Sequence, residues 1–277
     1  MIFVVGARGR LGRAICSGHA ESNPVQLARG IYENWWQPQS RGEISRYFEP
    51  WKKTGSIIFV ASGILDPHLP GEVHEQVNYQ LPRNIIEAVA SIGFQVVTFG
   101  TVMEQLLTTQ NPYIHSKALL GNYVMGLPAK ESRVLHLRIH TLYGAGSPSP
   151  FMFLGQVLAA LATRSDFAMT RGNQLREYHH VDDDVRAARL LLQSGLNGVA
   201  DISHGKPVKL ADLATHIFRK LGHEQCLKLG ALPEPPEENY KTIFNRPAVL
   251  NELNFRETLP AVTQYLKTCL TEMDGLA

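Results

Sequence analysis

Tyr113 and Lys117 stand four residues apart in the stretch "NPYIHSK", a spacing that places both side chains on one face of a helix about one turn apart. A phenol and an ammonium so placed suit proton chemistry. The positive charge lowers the phenol pKa, and the lysine can also hold a ribose hydroxyl. Upstream, "QVVTFGT" leads into Thr101, whose hydroxyl could orient the oxygen that Tyr113 protonates or deprotonates; Thr98 in the same run is the rival for that role. Such a spacing also occurs on exposed helix faces, so the pair gains meaning only from its surroundings.

A second group opens the chain, "MIFVVGARGRLGRAI". The apolar run from Ile2 to Val5 stops at Gly6, and Leu11, Ala14 and Ile15 recur at helical spacing, which reads as strand, tight turn, helix. Gly6, Gly9 and Gly12 fall where missing side chains let backbone approach a pyrophosphate and let helix and strand pack closely. Arg8, Arg10 and Leu11 share this loop and first turn, where a helix N-terminus offers N–H groups and partial positive charge to an anion.

These groups need a scaffold, and the first half of the chain supplies an alternating one. Val25 to Ala28, Ser56 to Ala61, Gln95 to Phe99 and Arg133 to Ile139 read as buried strands. The segment "EVHEQVNYQLPRNIIEAVASIG" carries Ile85, Ile86, Val89 and Ile92 at helical spacing, ends at Gly93 and is expected to bend at Pro82. Such β-α alternation predicts an α/β fold, a parallel sheet with helices on both faces. Residues 30 to 55 carry no clear strand and stay unassigned. Past Gly144 the Gly/Ser/Pro-rich "AGSPSPFMFLGQ" marks a departure from the sheet. Helices are expected near Phe151 to Thr163, after Val181 and from Leu210 to Leu221, with a short strand at Val199 to Ile202 and a proline-rich loop at "ALPEPPEEN". The expected organisation is a dinucleotide-binding domain over 1–144, regained by 181–203, and a smaller substrate-binding region over 145–277.

Composition excludes several classes. With 44% hydrophobic and 19% charged residues the chain is neither disordered nor membrane-spanning, and no apolar run approaches the roughly 18 residues that a bilayer requires. Cys16, Cys226 and Cys269 are an odd, widely spaced set with no C-x-x-C, which argues against both a disulfide scaffold and a zinc site. No export signal is evident, so a cytoplasmic location is expected. A net charge of +2 without a basic run gives no reason to expect nucleic acid.

In order, "GARGRLG", "IIFVASG", "QVNYQLPRNIIEAV", "VVTFGT" and "NPYIHSK" resemble the short-chain dehydrogenase/reductase superfamily. The later "LRIHTLYGAG", "REYHHVDDD", "GVADISHG" and "KLADLATHIFRKLG" resemble its extended branch of nucleotide-sugar epimerases, dehydratases and 4-keto reductases. This implies a Rossmann-like doubly wound parallel sheet with a smaller C-terminal substrate domain. It also implies that Gly6, Gly9 and Gly12 cradle the pyrophosphate, that Ala61 and Ser62 line the nicotinamide side, and that Asn78 buttresses the cofactor region. Thr101, Tyr113 and Lys117 match the catalytic triad, and Arg176 matches an arginine that clamps the substrate diphosphate, a task suited to a guanidinium fork.

Departures from the family pattern narrow the chemistry. Thr141 replaces the usual asparagine of "LR-x-F-N-x-Y-G", which puts that phosphate contact in doubt. Val102 and Met103 follow Thr101 where the family's 4,6-dehydratases carry an Asp-Glu or Ser-Glu pair, so elimination of water lacks its acid and base; Glu104 is close, but is expected to be a solvated turn residue. Arg29 follows the second strand where an acidic residue would bind the NAD ribose, which favours NADP(H) over NAD(H), with Arg8 as a second phosphate partner and Glu33 as the competing ribose ligand.

His179 and His180 lack a third ligand at suitable spacing, so no metal is expected. Asp182 to Asp184 are expected to cap a helix start, Trp35 and Trp36 to pack on the sheet edge or stack an adenine, and His204 to be a loop residue. The functional expectation is NADPH-dependent reduction of a 4-keto nucleotide sugar; the alternatives are a 4-epimerase retaining NAD and a non-catalytic dinucleotide sensor. Surplus apolar residues on the helices from about Glu72 to Ser91 and Pro112 to Met125, Val124 among them, could lie beneath the second region, but the resemblance implies that these two helices meet their symmetry mates, so a homodimer is expected.

Overall fold

The computed structural model describes residues 1–52, 55–106, 111–128 and 132–275. It divides into two compact units, Met1–Ile139 with Val185–Ile202, and His140–Asp184 with Ser203–Ala277.

The first unit is built on a sheet. Its elements are β1 (Ile2–Val5), α1 (Arg10–Gly18), β2 (Val25–Gln26), α2 (Arg29–Tyr32), α3 (Arg41–Phe48), β3 (Ile57–Val60), α4 (Gly71–Glu75), α5 (Leu81–Val89), β4 (Gln95–Thr101), α6 (Pro112–Met125) and β5 (Val134–Ile139). A sixth strand, Gly198–Asp201, completes a parallel sheet in the order β2, β1, β3, β4, β5, sixth. The predicted Rossmann-like sheet is thus present. Its strands read as continuous apolar runs, such as the Ile-Phe-Val-Val of β1, because helices cover both faces. From β1 the chain goes to β2 on one side and β3 on the other. The switch point between β1 and β3 is where such sheets open a crevice at their strand carboxyl ends.

Among the described residues of 30 to 55, a stretch without a clear strand in the sequence, no strand is added between β2 and β3. They form α2, α3 and single helical turns, and their aromatics enter the core. Trp35 is 1% exposed and donates from Nε1 to Glu43 Oε1 at 3.2 Å, while Phe48 and Trp51 pack edge-on against Phe3. Burial of each such ring contributes on the order of 2 kcal/mol. Of the two readings for this indole, packing is the one found. Asn84 of α5 ties the segment down by donating to the carbonyls of Trp35 and Gln37, and Arg41 pairs with Glu87 at 2.6 Å.

Between α4 and α5 the helix widens into one turn of π geometry, Gln76–Gln80. Pro82 explains it: the ring has no N–H to give the carbonyl four residues back, that of Asn78, and the helix adjusts ahead of it. The helical stretch ends with Gly93 at φ +78°, the left-handed stop expected from the sequence.

In the second unit, short strand pairs join Thr141–Tyr143 to Tyr178–His180, Phe167–Ala168 to Leu227–Lys228, and Leu175–Arg176 to Val208–Lys209. Helices Phe153–Thr163, Leu210–Lys220 and Thr258–Asp274 enclose a core that includes Leu158, Leu213, Phe218, Val262 and Leu266. The helix Val181–Gln193 begins in this unit, and its residues from Val185 onward belong to the first. Among the described residues, no helix is long and apolar enough to cross a membrane.

Candidate active site

The glycine loop sits at the carboxyl end of β1. Gly6 has φ +82°, and a Cβ there would lie 2.4 Å from Ser62 N; a Cβ on Gly12 would lie 2.2 Å from Gly6 O. Backbone meets backbone at both points, so the loop lies flush between β1 and β3, with Ala61 and Ser62 alongside. Helix α1 starts at Arg10 after an extended Gly9, with Leu11 in its first turn, no side-chain cap and no acidic residue there. No carboxylate of its own first turn therefore answers the partial positive charge of that end, a setting that fits a pyrophosphate. Arg8 and Arg29 are exposed and follow the neighbouring strands β1 and β2.

A second set of groups gathers at the carboxyl end of β4 and the start of α6. Asn111 caps α6, its Oδ1 accepting from Tyr113 N at 3.0 Å and Ile114 N at 3.3 Å, with Pro112 in the first turn. Lys117 is buried, and its Nζ donates to the Phe99 carbonyl at 2.8 Å. Asn78, in the widened turn, accepts from Ile64 N and donates to Ile64 O and to Ser116 Oγ. A Cβ on Gly63 would lie 3.3 Å from Asn78 Oδ1 and 3.4 Å from Lys117 Nζ. The fold thus brings Asn78, Lys117 and the loop after β3 together. Ser116 belongs to this cluster and was not singled out from the sequence.

Thr101 caps the short turn Val102–Gln105 and accepts from Met103 N at 3.3 Å. Its rival Thr98 is fully buried and shares a 2.8 Å hydrogen bond with His136 Nδ1.

Two sequence expectations are corrected here. Burial, and then the charge of Glu104, push the Tyr113 phenol up to about 12, whereas a lowered value was expected from Lys117. The lysine is turned to the Phe99 carbonyl, and burial pulls it down to about 8. Glu104 is also no solvated turn residue. Its side chain is 3% exposed; Oε1 accepts from Thr101 N at 2.7 Å, and Oε2 lies 3.3 Å from Arg138 Nε. Gly100 and Gly121 make room for it, since a Cβ on either would lie within 2.4 Å of its carboxylate oxygens. The sequence carried a signal for this, the capping-box spacing Thr-x-x-Glu.

The remaining expected residues lie in the second unit. Thr141 begins the strand that pairs with Tyr178–His180. Arg176 is engaged by the Glu238 carboxylate and by the Leu175 carbonyl. Asp183 and Asp184 lie in the first turn of the helix Val181–Gln193, as expected of helix-start carboxylates, and are also drawn inward. Both are 1% exposed; Asp183 holds Arg256, and Asp184 Oδ1 lies 2.6 Å from His179 Nδ1. His204 is in a loop, yet buried against Glu177.

Comparison with known proteins places this geometry. The curated ADP-L-glycero-D-manno-heptose-6-epimerase of Nitratidesulfovibrio vulgaris is 30% identical over 111 residues, 37% of this chain and 34% of that protein, so the match spans about a third of the relative. A UDP-glucose 4-epimerase from Thermotoga maritima, solved with UDP-glucose, shares the fold at TM-score 0.76 and 15% identity over 99% of both chains. A dTDP-4-dehydrorhamnose reductase from Clostridium acetobutylicum does so at TM-score 0.75 and 17% identity, over 96% of this chain and 98% of that one. The sequence model of the NAD dependent epimerase/dehydratase family matches residues 2–203. The glycine loop at the β1–β3 switch point and the Tyr113–Lys117 helix both fall within that match, and the chain belongs to the NAD-dependent epimerase/dehydratase family.

Proposed function

We propose that the protein is an NADPH-dependent reductase of a keto group on a nucleotide-linked sugar, with Thr101, Tyr113 and Lys117 handling the proton. The observation that carries this reading is the engagement of Glu104. With its carboxylate held by Thr101 N–H and Arg138, no acid/base pair is left beside Thr101 for eliminating water, and chemistry at a single carbon remains. Tyr113, a phenol that burial pushes up to about 12, holds the proton that a carbonyl oxygen takes on reduction. A bound nicotinamide supplies the hydride. Gly6, Gly9, Arg10, Leu11 and Gly12 hold the pyrophosphate, Ala61, Ser62 and Asn78 flank the nicotinamide end, and Arg8 and Arg29 meet the 2′-phosphate of NADPH. Lys117 orients the ribose and Thr101 the substrate oxygen; the free choice falls on Thr101 because Thr98 is committed to His136. Thr141 and Arg176 contact the substrate diphosphate, which would take the place of Glu238 on the guanidinium.

The test is incubation of the purified protein with NADPH or NADH and a panel of nucleotide sugars and their 4-keto forms, followed by product analysis. Reduction of a keto sugar with NADPH preferred is expected, with Arg29→Ala weakening NADPH by roughly 10- to 100-fold and leaving NADH unchanged. Interconversion of sugars on a retained NAD, without net cofactor consumption, would make it an epimerase instead. Cofactor binding without turnover of any sugar would leave only a sensor.

A further inference from the structure

Inside the second unit, three separate stretches of chain bring together His140, the pair Glu177 and His179, and His204. Glu177 Oε2 lies 3.0 Å from His179 Nε2, 3.3 Å from His204 Nδ1 and 3.7 Å from His140 Nε2. Donors held about 2.0–2.1 Å from one tetrahedral ion are separated by roughly 3.3 Å, so these gaps are of the size a metal needs. Ligand atoms of Glu177, His179 and His204 all fall within 4.8 Å of one another.

Two independent features point to a ligand. His140 Nε2 is buried without a hydrogen-bond partner, on a side chain only 6% exposed, and stands beside the Glu177 carboxylate. His179 presents Nε2 to the cluster and turns Nδ1 to Asp184 Oδ1 at 2.6 Å. That is the carboxylate–histidine arrangement by which metal-bound imidazoles are oriented. Glu177 is itself braced, its Oε1 accepting from Ser203 Oγ at 2.8 Å. The rings of Phe244 and Phe255 wall the cluster.

We propose that His140, Glu177, His179 and His204 bind one divalent cation. Two imidazoles and one carboxylate suit zinc, and His140, outside that group of three with Nε2 3.7 Å from Glu177 Oε2, would close the coordination sphere as a fourth donor by a turn of its ring, which makes the ion structural. Entry of the ion displaces the ring proton between His179 and Glu177, and His204 turns its Nδ1 away from the Lys206 N–H that it now accepts from at 3.1 Å. Sequence spacing concealed the set, because the third and fourth ligands lie far along the chain from the His179–His180 pair.

The test uses the full chain without a histidine tag, stripped with a chelator. It is titrated with zinc chloride by calorimetry and with Co²⁺ by visible absorption. One zinc per chain, the intense Co²⁺ bands of a four-coordinate site and a higher melting temperature with zinc are expected. His140→Phe keeps the ring shape and takes from Nε2 no hydrogen bond that it makes, so this variant should melt like the zinc-free wild type and bind zinc at least about 100-fold more weakly. His68→Gln, which removes an exposed imidazole beside Asp66, should bind zinc as the wild type does. A folded wild type that takes up no stoichiometric zinc, an unchanged affinity in His140→Phe, or loss of the zinc in His68→Gln overturns the site.

Discussion

Lys117 carries its charge in a place that resists charge, and this leaves a mark on stability. Burial lowers its pKa to about 8, below the roughly 10.4 of a lysine in an unfolded chain. Between those values the unfolded chain binds more protons than the folded one, so stability rises with pH through that window and this contribution is flat below it. From pH 8 to 10 the cofactor-free wild type should gain about 2 kcal/mol that Lys117→Met does not; denaturant melts at both pH values measure it, and parallel curves would refute it. Tyr113→Phe removes one proton and keeps the ring, so turnover should fall roughly 100-fold while cofactor affinity holds; near-normal turnover would end the proposed mechanism. Tyr113 and Lys117 were legible in the sequence because one helical turn fixes their relation. The direction of the Tyr113 shift was not, since it depends on where Lys117 Nζ finds an acceptor and on Glu104 being drawn inward by Arg138, a residue 34 positions away.

At the level of elements, the glycine turn was legible because its demands are local: a positive φ at Gly6, and no room for a side chain at Gly12. Gly12→Ala would press a methyl against Gly6 O and force α1 away from β1. Cofactor affinity should fall at least 10-fold and stability by about 1–3 kcal/mol, read by fluorescence titration and melting; intact binding would mean that α1 does not shape the cradle. The helix Thr258–Asp274 escaped the sequence reading although Val262, Leu266 and Cys269 recur at helical spacing. The arrangement of 30–55 was beyond pattern reading for a better reason. Its aromatics are distributed to fit Phe3, Phe94 and α5, which no local period records. The widened turn at Gln76–Gln80 likewise depends on a proline that lies beyond it.

For the whole molecule, the proposed homodimer rests on fewer residues than the sequence suggested. Leu81, Ile85, Val89, Ile114, Leu120 and Val124 are buried within a single chain, whereas Val73, Val77, Leu119 and Tyr123 stay partly exposed. Val124→Glu would therefore damage the core, and Val77→Glu is the informative change. Light scattering should give about twice 30.8 kDa for the wild type and the single-chain mass for Val77→Glu. A wild type at 30.8 kDa across micromolar concentrations would remove the dimer. The sixth strand has a consequence in time. Gly198 pairs with Leu135, so a ribosome adding roughly 5–20 residues per second delivers the partner of β5 several seconds after β5 itself. Throughout that interval the "VLHLRI" edge lacks its outer neighbour, while the segment interposed between the two strands is still being made. Slow elongation across residues 140–197 prolongs that exposure, and a faster pace over this one stretch of message shortens it.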